Sequence, residues 1–229
     1  MNALVNKKII KLSYHEISRL IIGSQKIEET KTLSEAQKKA LLKVKESFNQ
    51  KDVCLLHGVT SSGKTEIYIK LIEEQLNNGK QILYLVPEIA LTSQIINRLR
   101  KHFGNKVGIS HSRMNNNERV EIWNAINEKN KNKVQYPIIL GARSSLFLPF
   151  DNLGLIIVDE EHEPSFKQYQ PAPRYHARDA AIYLANLHQA KVLLGSATPS
   201  IESYYNAKIG KYAFVELNSR FSDIQLPEI

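Results

Sequence analysis

The sequence is poor in the residues that cross-link a fold: one of its 229 residues is a cysteine, Cys54. A single thiol excludes an intrachain disulfide and a four-cysteine zinc site, so no zinc is expected. Its place in the apolar run Val53-Cys54-Leu55-Leu56 makes it a small buried hydrophobe, not a reactive group. Long apolar runs are missing too. No stretch approaches ~18 consecutive apolar residues and the start of the chain has no signal-peptide core, so a soluble, cytoplasmic protein with no membrane partner is expected. There is no internal repeat, and the one biased tract, Lys129-Asn130-Lys131-Asn132-Lys133, reads as a solvated connection. Acid is the scarcer charge: 23 Asp and Glu against 31 Lys and Arg give a formal net charge of +8. That balance suits a phosphate-backbone partner without proving one. The length accommodates one α/β domain with a substantial core and a short appendage, and leaves little room for a second nucleotide-binding lobe.

What is present is an alternation of apolar runs and helical patterns. Residues 1–30 read as the tail of a preceding domain plus a linker, and 31–229 as one lobe. Ser34-Glu35-Ala36-Gln37 is a capping-box pattern, and Gln37, Leu41, Val44 and Phe48 share one helical face. Strands are expected at 53–56, 81–86, 106–110, 136–140, 154–158, 191–194 and 213–217. Helices are expected after the first strand (Ile69, Ile72 and Leu76 at helical spacing), after Thr92 (Ile95, Ile96, Leu99 and Phe103 inward), over 118–128 (an apolar stripe of Ile122, Trp123 and Ile126) and over 175–188. Strands and helices alternating at this spacing imply right-handed crossovers and a doubly wound, mainly parallel α/β sheet.

The first apolar run ends in Gly58-Val59-Thr60-Ser61-Ser62-Gly63-Lys64-Thr65, which matches the pattern G-x-x-x-x-G-K-[ST] in full and opens a helix. Successive backbone N–H groups and a helix N-terminus make a concave anion site there, and small residues let a polyphosphate approach the backbone. Gly58, Thr60, Ser61, Ser62, Gly63, Lys64 and Thr65 are therefore candidate nucleotide ligands, with Lys64 meeting the β- and γ-phosphates and the Thr65 hydroxyl a ligand of Mg²⁺. An acidic cluster, Asp159-Glu160-Glu161-His162, is delivered by the apolar run 154–158 at the carboxyl edge of the expected sheet, where ligands bind in parallel α/β folds. Hydrolysis of ATP needs a Mg²⁺ held against the phosphates and a carboxylate for the attacking water. Asp159 is placed for the metal and Glu160 for the water. His162 is positioned to link that site to Ser196-Ala197-Thr198, which follows the run 191–194. Gln37 has two readings: reading an adenine edge, or lying on a helix surface.

The phosphate loop, Asp159 to His162 and Ser196 to Thr198, in that order, resemble the first three motifs of superfamily 2 helicases and translocases, whose motor lobes are RecA-like. Longer blocks are similar to the replication-restart helicases within that superfamily: Val86-Pro87-Glu88-Ile89-Ala90-Leu91-Thr92, His111-Ser112, Gly141-Ala142-Arg143-Ser144-Ser145-Leu146-Phe147-Leu148-Pro149-Phe150 and Arg174-Tyr175-His176-Ala177-Arg178-Asp179. The resemblance covers about 33–221. The family's loop usually has glycine at the position of Ser61, a departure expected to constrain the backbone slightly while nucleotide binding survives.

The resemblance implies the first motor lobe of a 3′-to-5′ DNA helicase acting in replication restart. Its cofactors would be ATP and Mg²⁺, and its partners forked or single-stranded DNA and the proteins that reload the replicative helicase. It implies catalytic roles for Lys64, Glu160 and His162 and DNA contact or coupling at Thr92, Arg143, Ser144, Phe166, Tyr169, Ser196 and Thr198. Arg143 has the alternative of an ion pair with a nearby carboxylate, and Tyr175 either stacks a base or packs its helix. The second lobe that closes such an ATP site is not in the sequence, so the 229 residues alone are expected to bind nucleotide weakly, to hydrolyse ATP slowly if at all, and not to unwind DNA. Two other functions share the phosphate loop: a nucleotide kinase, which has no use for Ser196-Ala197-Thr198, and a non-catalytic DNA-binding scaffold with a vestigial site.

Overall fold

The computed structural model describes residues 32–127 and 135–218. The appendage 1–30 and the Lys/Asn tract lie outside the described residues. Seven strands alternate with helices: α1 (Glu35–Phe48), β1 (Val53–Gly58), α2 (Lys64–Asn77), β2 (Gln81–Leu85), α3 (Ser93–Phe103), β3 (Val107–Ser110), α4 (Asn116–Ile126), β4 (Ile138–Gly141), β5 (Leu153–Asp159), α5 (Ala177–His188), β6 (Lys191–Ser196), α6 (Ile201–Lys208) and β7 (Ala213–Leu217). All pairings are parallel, in the order β3-β4-β2-β5-β6-β1-β7. The doubly wound parallel α/β sheet expected from the alternation is what forms.

Residues of one strand alternate between two cores, as the period of two requires. Cys54 and Leu56 of β1 point to the layer of α1, α2 and α3, where they meet Val44, Ile67, Ile72 and Leu99. Val53 and Leu55 point to the layer of α4, α5 and α6, with Ile122, Ala181 and Ala207. Cys54 is fully buried and burial pushes its thiol up to about 12, so it is the inert hydrophobe expected. Trp123 departs from its expected place: it is 48% exposed, and α4 packs through Ile122, Ala125 and Ile126 instead. Helix α6 was not expected from the sequence at all.

The strand order decides where chemistry can occur. β6 lies between β5 and β1, with Asp159 in register with Gly195 and His57 with Ser196. The carboxyl ends of these three neighbouring strands carry the acidic cluster, the Ser-Ala-Thr loop and the phosphate loop. With neighbouring strands about 4.8 Å apart, segments some 100 residues apart in sequence converge within ~10 Å.

Candidate functional site

The loop between β1 and α2 is shaped by its backbone. Gly63 caps α2 in the left-handed conformation (φ 81°) and brings no side chain to the first-turn N–H groups, which leaves them to a ligand. Ser61 also has a left-handed backbone, φ 62°. A serine there carries a strain of ~1–2 kcal/mol that glycine would not, which gives the departure at this position its physical meaning. The loop lines a cavity of about 380 Å³ together with Glu66, Arg98, Asp159 and Glu160. The Lys64 ammonium donates to the Gly58 carbonyl at 2.9 Å and lies 3.9 Å from Glu160. Ser62 Oγ is buried without a protein partner. A lysine tied to its own loop, an uncapped helix start and an orphaned hydroxyl around one cavity fit a polyphosphate.

Of the two alternatives for Gln37, the surface one does not hold: the residue is 1% exposed and both ends of its amide are hydrogen-bonded. Its oxygen accepts from Ser34 N at 2.9 Å and its nitrogen donates to the carbonyls of Ser62 and Gly63 at 3.2 and 3.4 Å. The capping glutamine of α1 thus braces the phosphate loop, with both amide N–H donors committed to loop carbonyls and one lone pair of its oxygen left over.

Asp159 ends β5 between two buried tyrosines. Tyr68 OH donates to one carboxylate oxygen and Tyr84 OH to the other, both at 3.0 Å. Gly195 makes this possible, because a Cβ there would collide with the Tyr68 hydroxyl. Burial, and then the charge of Glu160, raises the Asp159 carboxyl above its ordinary value, while the two tyrosine hydrogen bonds and Lys64 oppose the shift. Neither tyrosine figured in the sequence reading. The available signal was a phenol within the otherwise aliphatic Ile82-Leu83-Tyr84-Leu85, since a buried hydroxyl demands a partner.

The next three residues of the cluster diverge. Glu160 has a left-handed backbone (φ 50°) and faces the cavity. His162 Nδ1 is 3.7 Å from Glu160 and 2.8 Å from Ser196 Oγ, and its Nε2 is 3.3 Å from Thr198 Oγ1. The histidine therefore bridges the acidic cluster and the Ser-Ala-Thr loop. Glu161, given no role from sequence, is 0% exposed and accepts from Arg178, from the backbone and hydroxyl of Ser200 and from Ser203 Oγ. Arg178 also donates to Ser200 Oγ and Asp179. One buried carboxylate thus fastens β5 to the starts of α5 and α6.

Among the residues expected to meet DNA, Thr92 is exposed at the N-cap of α3 with a hydroxyl that makes no cap bond, and Ser144 and Thr198 are also exposed. Ser196 is buried. Among the described residues Arg143 makes no carboxylate ion pair: its guanidinium donates to the carbonyls of Ser165 and Lys167 at 2.9 and 3.2 Å. Of the contact or coupling expected at Phe166, direct contact is what the structure removes. The residue is 1% exposed and part of the core, where apolar burial outweighs any exposure to a ligand. Tyr169 in the same loop is 67% exposed. Tyr175 packs edge-on against Phe147, with a long contact from its hydroxyl to the Arg143 carbonyl at 3.5 Å.

No group of three or more His, Cys, Asp or Glu among the described residues could hold a metal. No helix of the described residues is long and apolar enough to cross a membrane.

A parallel sheet with a phosphate loop, an acidic cluster and a hydroxyl loop on three adjacent strand ends defines a RecA-like nucleotide-binding lobe. The family model for DEAD/DEAH box helicases matches residues 34–207, and the chain belongs to that family. It is 41% identical over its full length to the replication restart protein PriA of Bacillus subtilis, and 48% identical over 74% of its length to that of Haemophilus influenzae. It spans 28% and 22% of those two proteins. In fold it is similar to RecG bound to a three-way DNA junction (TM-score 0.59, 20% identity, 99% of this chain and 27% of that one) and to the UvsW helicase of bacteriophage T4 (TM-score 0.54, 18% identity, 86% and 65%).

Proposed function

We propose that this chain is the first, ATP-binding motor lobe of a PriA-like DNA helicase acting in replication restart, with ATP and Mg²⁺ as cofactors. The observation that carries the reading is the single cavity shared by the phosphate loop, Asp159 and Glu160, with His162 connecting Glu160 to Ser196 and Thr198. Lys64 would exchange the Gly58 carbonyl for the β- and γ-phosphates, and Thr65 and Asp159 would hold the metal. Bound Mg²⁺ supplies charge neutralisation for the phosphates. Glu160 orients and deprotonates the attacking water, its position fixed by the left-handed turn after Asp159. His162 passes the state of that carboxylate to the hydroxyl loop.

In the segments that follow the carboxyl ends of β2, β4 and β5, the Thr92 hydroxyl, Ser144 and Tyr169 are exposed and present a sequence-independent surface for forked or single-stranded DNA. Arg143 joins them by tying the loop that carries Tyr169. The proteins met at a stalled fork would be those that reload the replicative helicase, and the protein would work in the cytoplasm. The link through His162 favours a motor over a phosphoryl transfer to a small acceptor, which has no use for it.

A titration with labelled ADP and ATP, with and without forked DNA, on the wild type and Lys64→Ala tests the reading. Mg²⁺-dependent binding that Lys64→Ala abolishes is expected. Absence of nucleotide binding by the wild type overturns it.

A further inference from the structure

The cavity holds one cation besides Lys64, and it comes from an unrelated part of the chain. Arg98, on the second turn of α3, donates to Glu66 Oε1 at 2.6 Å, and both residues line the cavity. Glu66 is nearly buried, with its side chain 9% exposed, and follows Thr65 directly; Arg98 is 40% exposed. The cavity therefore has three carboxylates, Glu66, Asp159 and Glu160, at the end where phosphates and a metal would gather. Only two of them have work in the reading above. A third uncompensated negative charge in a partly desolvated site repels a polyphosphate strongly, because the effective dielectric is low.

We propose that Arg98 is a positioning residue for the nucleotide, which cancels the charge of Glu66 and so holds the metal end of the cavity open to a triphosphate. The inference rests on the nucleotide-site reading. Its physical content is differential: the γ-phosphate adds charge nearest the metal end, so loss of Arg98 disfavours the triphosphate more than the diphosphate. It also gives α3 a second role. Thr92 caps the helix on one surface and Arg98, six residues on, reaches the phosphate-loop helix. A shift of α3 would therefore be felt at Glu66 beside the metal ligand Thr65.

The test measures affinities of this chain for labelled ATP and ADP, both with Mg²⁺, in the wild type, Arg98→Ala, Arg98→Lys and the double variant Glu66→Gln/Arg98→Ala. Thermal melts establish that each is folded. Arg98→Ala is expected to weaken ATP by about tenfold, the effect of one unit of uncompensated charge at close range, and ADP by less. Arg98→Lys keeps the charge and is expected to retain most ATP affinity, and the double variant is expected to recover it. Equal loss of ATP and ADP, or a double variant as weak as Arg98→Ala, overturns the proposal. Failure of the wild type to bind either nucleotide instead overturns the nucleotide site itself, and the two failures are told apart by the wild-type titration.

Discussion

Asp159 is held where its own charge is unwelcome. Its carboxylate is clamped by Tyr68 and Tyr84 in the β2–β5 region of the sheet, and burial together with Glu160 raises its pKa above the ordinary 3.8. The sign follows from linkage. The native state binds this proton more tightly than the unfolded chain, so the cost of ionising it is absent below about 3.8, grows as pH rises through the native value, and is carried in full above it. Asp159→Asn removes that cost while leaving an amide the size of the carboxyl between the same two phenols. The variant is expected to melt a few degrees higher than the wild type at about pH 7, with the gap narrowing as pH falls, and to lose Mg²⁺-dependent binding. Thermal melts across that range check it. A variant less stable at neutral pH would show that the tyrosine hydrogen bonds outweigh burial.

At the level of elements, what the sequence disclosed and what it hid divide along a physical line. The five inner strands, buried on both faces, announce themselves as apolar runs, the partly exposed edge strands β3 and β7 were legible as short ones, and so were helices whose buried face is large and apolar, such as α3 with Leu99 and Phe103. Helix α6 inverts that pattern. It buries small Ser203 and Ala207 and turns Ile201, Tyr204 and Tyr205 outward, so periodicity carried no signal, although Ser200 before it is an N-cap residue. That Phe166 is a core residue was hidden for the complementary reason: aromatic character is the same in a core and on a ligand surface, and only packing distinguishes them. The function of Glu161 was hidden because its partners, Arg178, Ser200 and Ser203, are distant in sequence. These partners make Ser200→Ala unusually costly for a cap. The Ser200 hydroxyl accepts from Ser203 N and Arg178 and donates to Glu161. Losing the cap costs ~1 kcal/mol and leaving buried charged partners short of a hydrogen bond a further ~1–3 kcal/mol. Denaturant unfolding is expected to show a loss of about 2–4 kcal/mol for Ser200→Ala, against ~1 kcal/mol for the simpler cap change Ser34→Ala. Equal effects would mean that Glu161 finds substitute partners.

For the whole molecule, the excess of basic residues and the loop 163–175 bear on one question, whether this lobe meets nucleic acid by itself. A net charge of +8 supplies sequence-independent attraction that falls steeply with salt, because each neutralised phosphate releases counterions. Aromatic stacking adds a contribution that salt affects little, worth ~1–3 kcal/mol for each base. Of the three aromatic residues in the loop, Tyr169 offers an exposed ring, Phe166 holds the loop to the core and Tyr175 is half-buried against Phe147. The two substitutions should therefore separate cleanly. Tyr169→Ala is expected to leave stability unchanged and weaken single-stranded DNA binding by about 1–3 kcal/mol, with the salt slope preserved. Phe166→Ala is expected to destabilise the fold by about 3–5 kcal/mol, as other buried phenylalanines do, and to lose DNA binding only as the loop loosens. Fluorescence anisotropy across a salt series, read beside denaturant melts, checks both. Unchanged DNA affinity in Tyr169→Ala would remove this loop from the nucleic-acid surface and leave Thr92 and Ser144 to carry it.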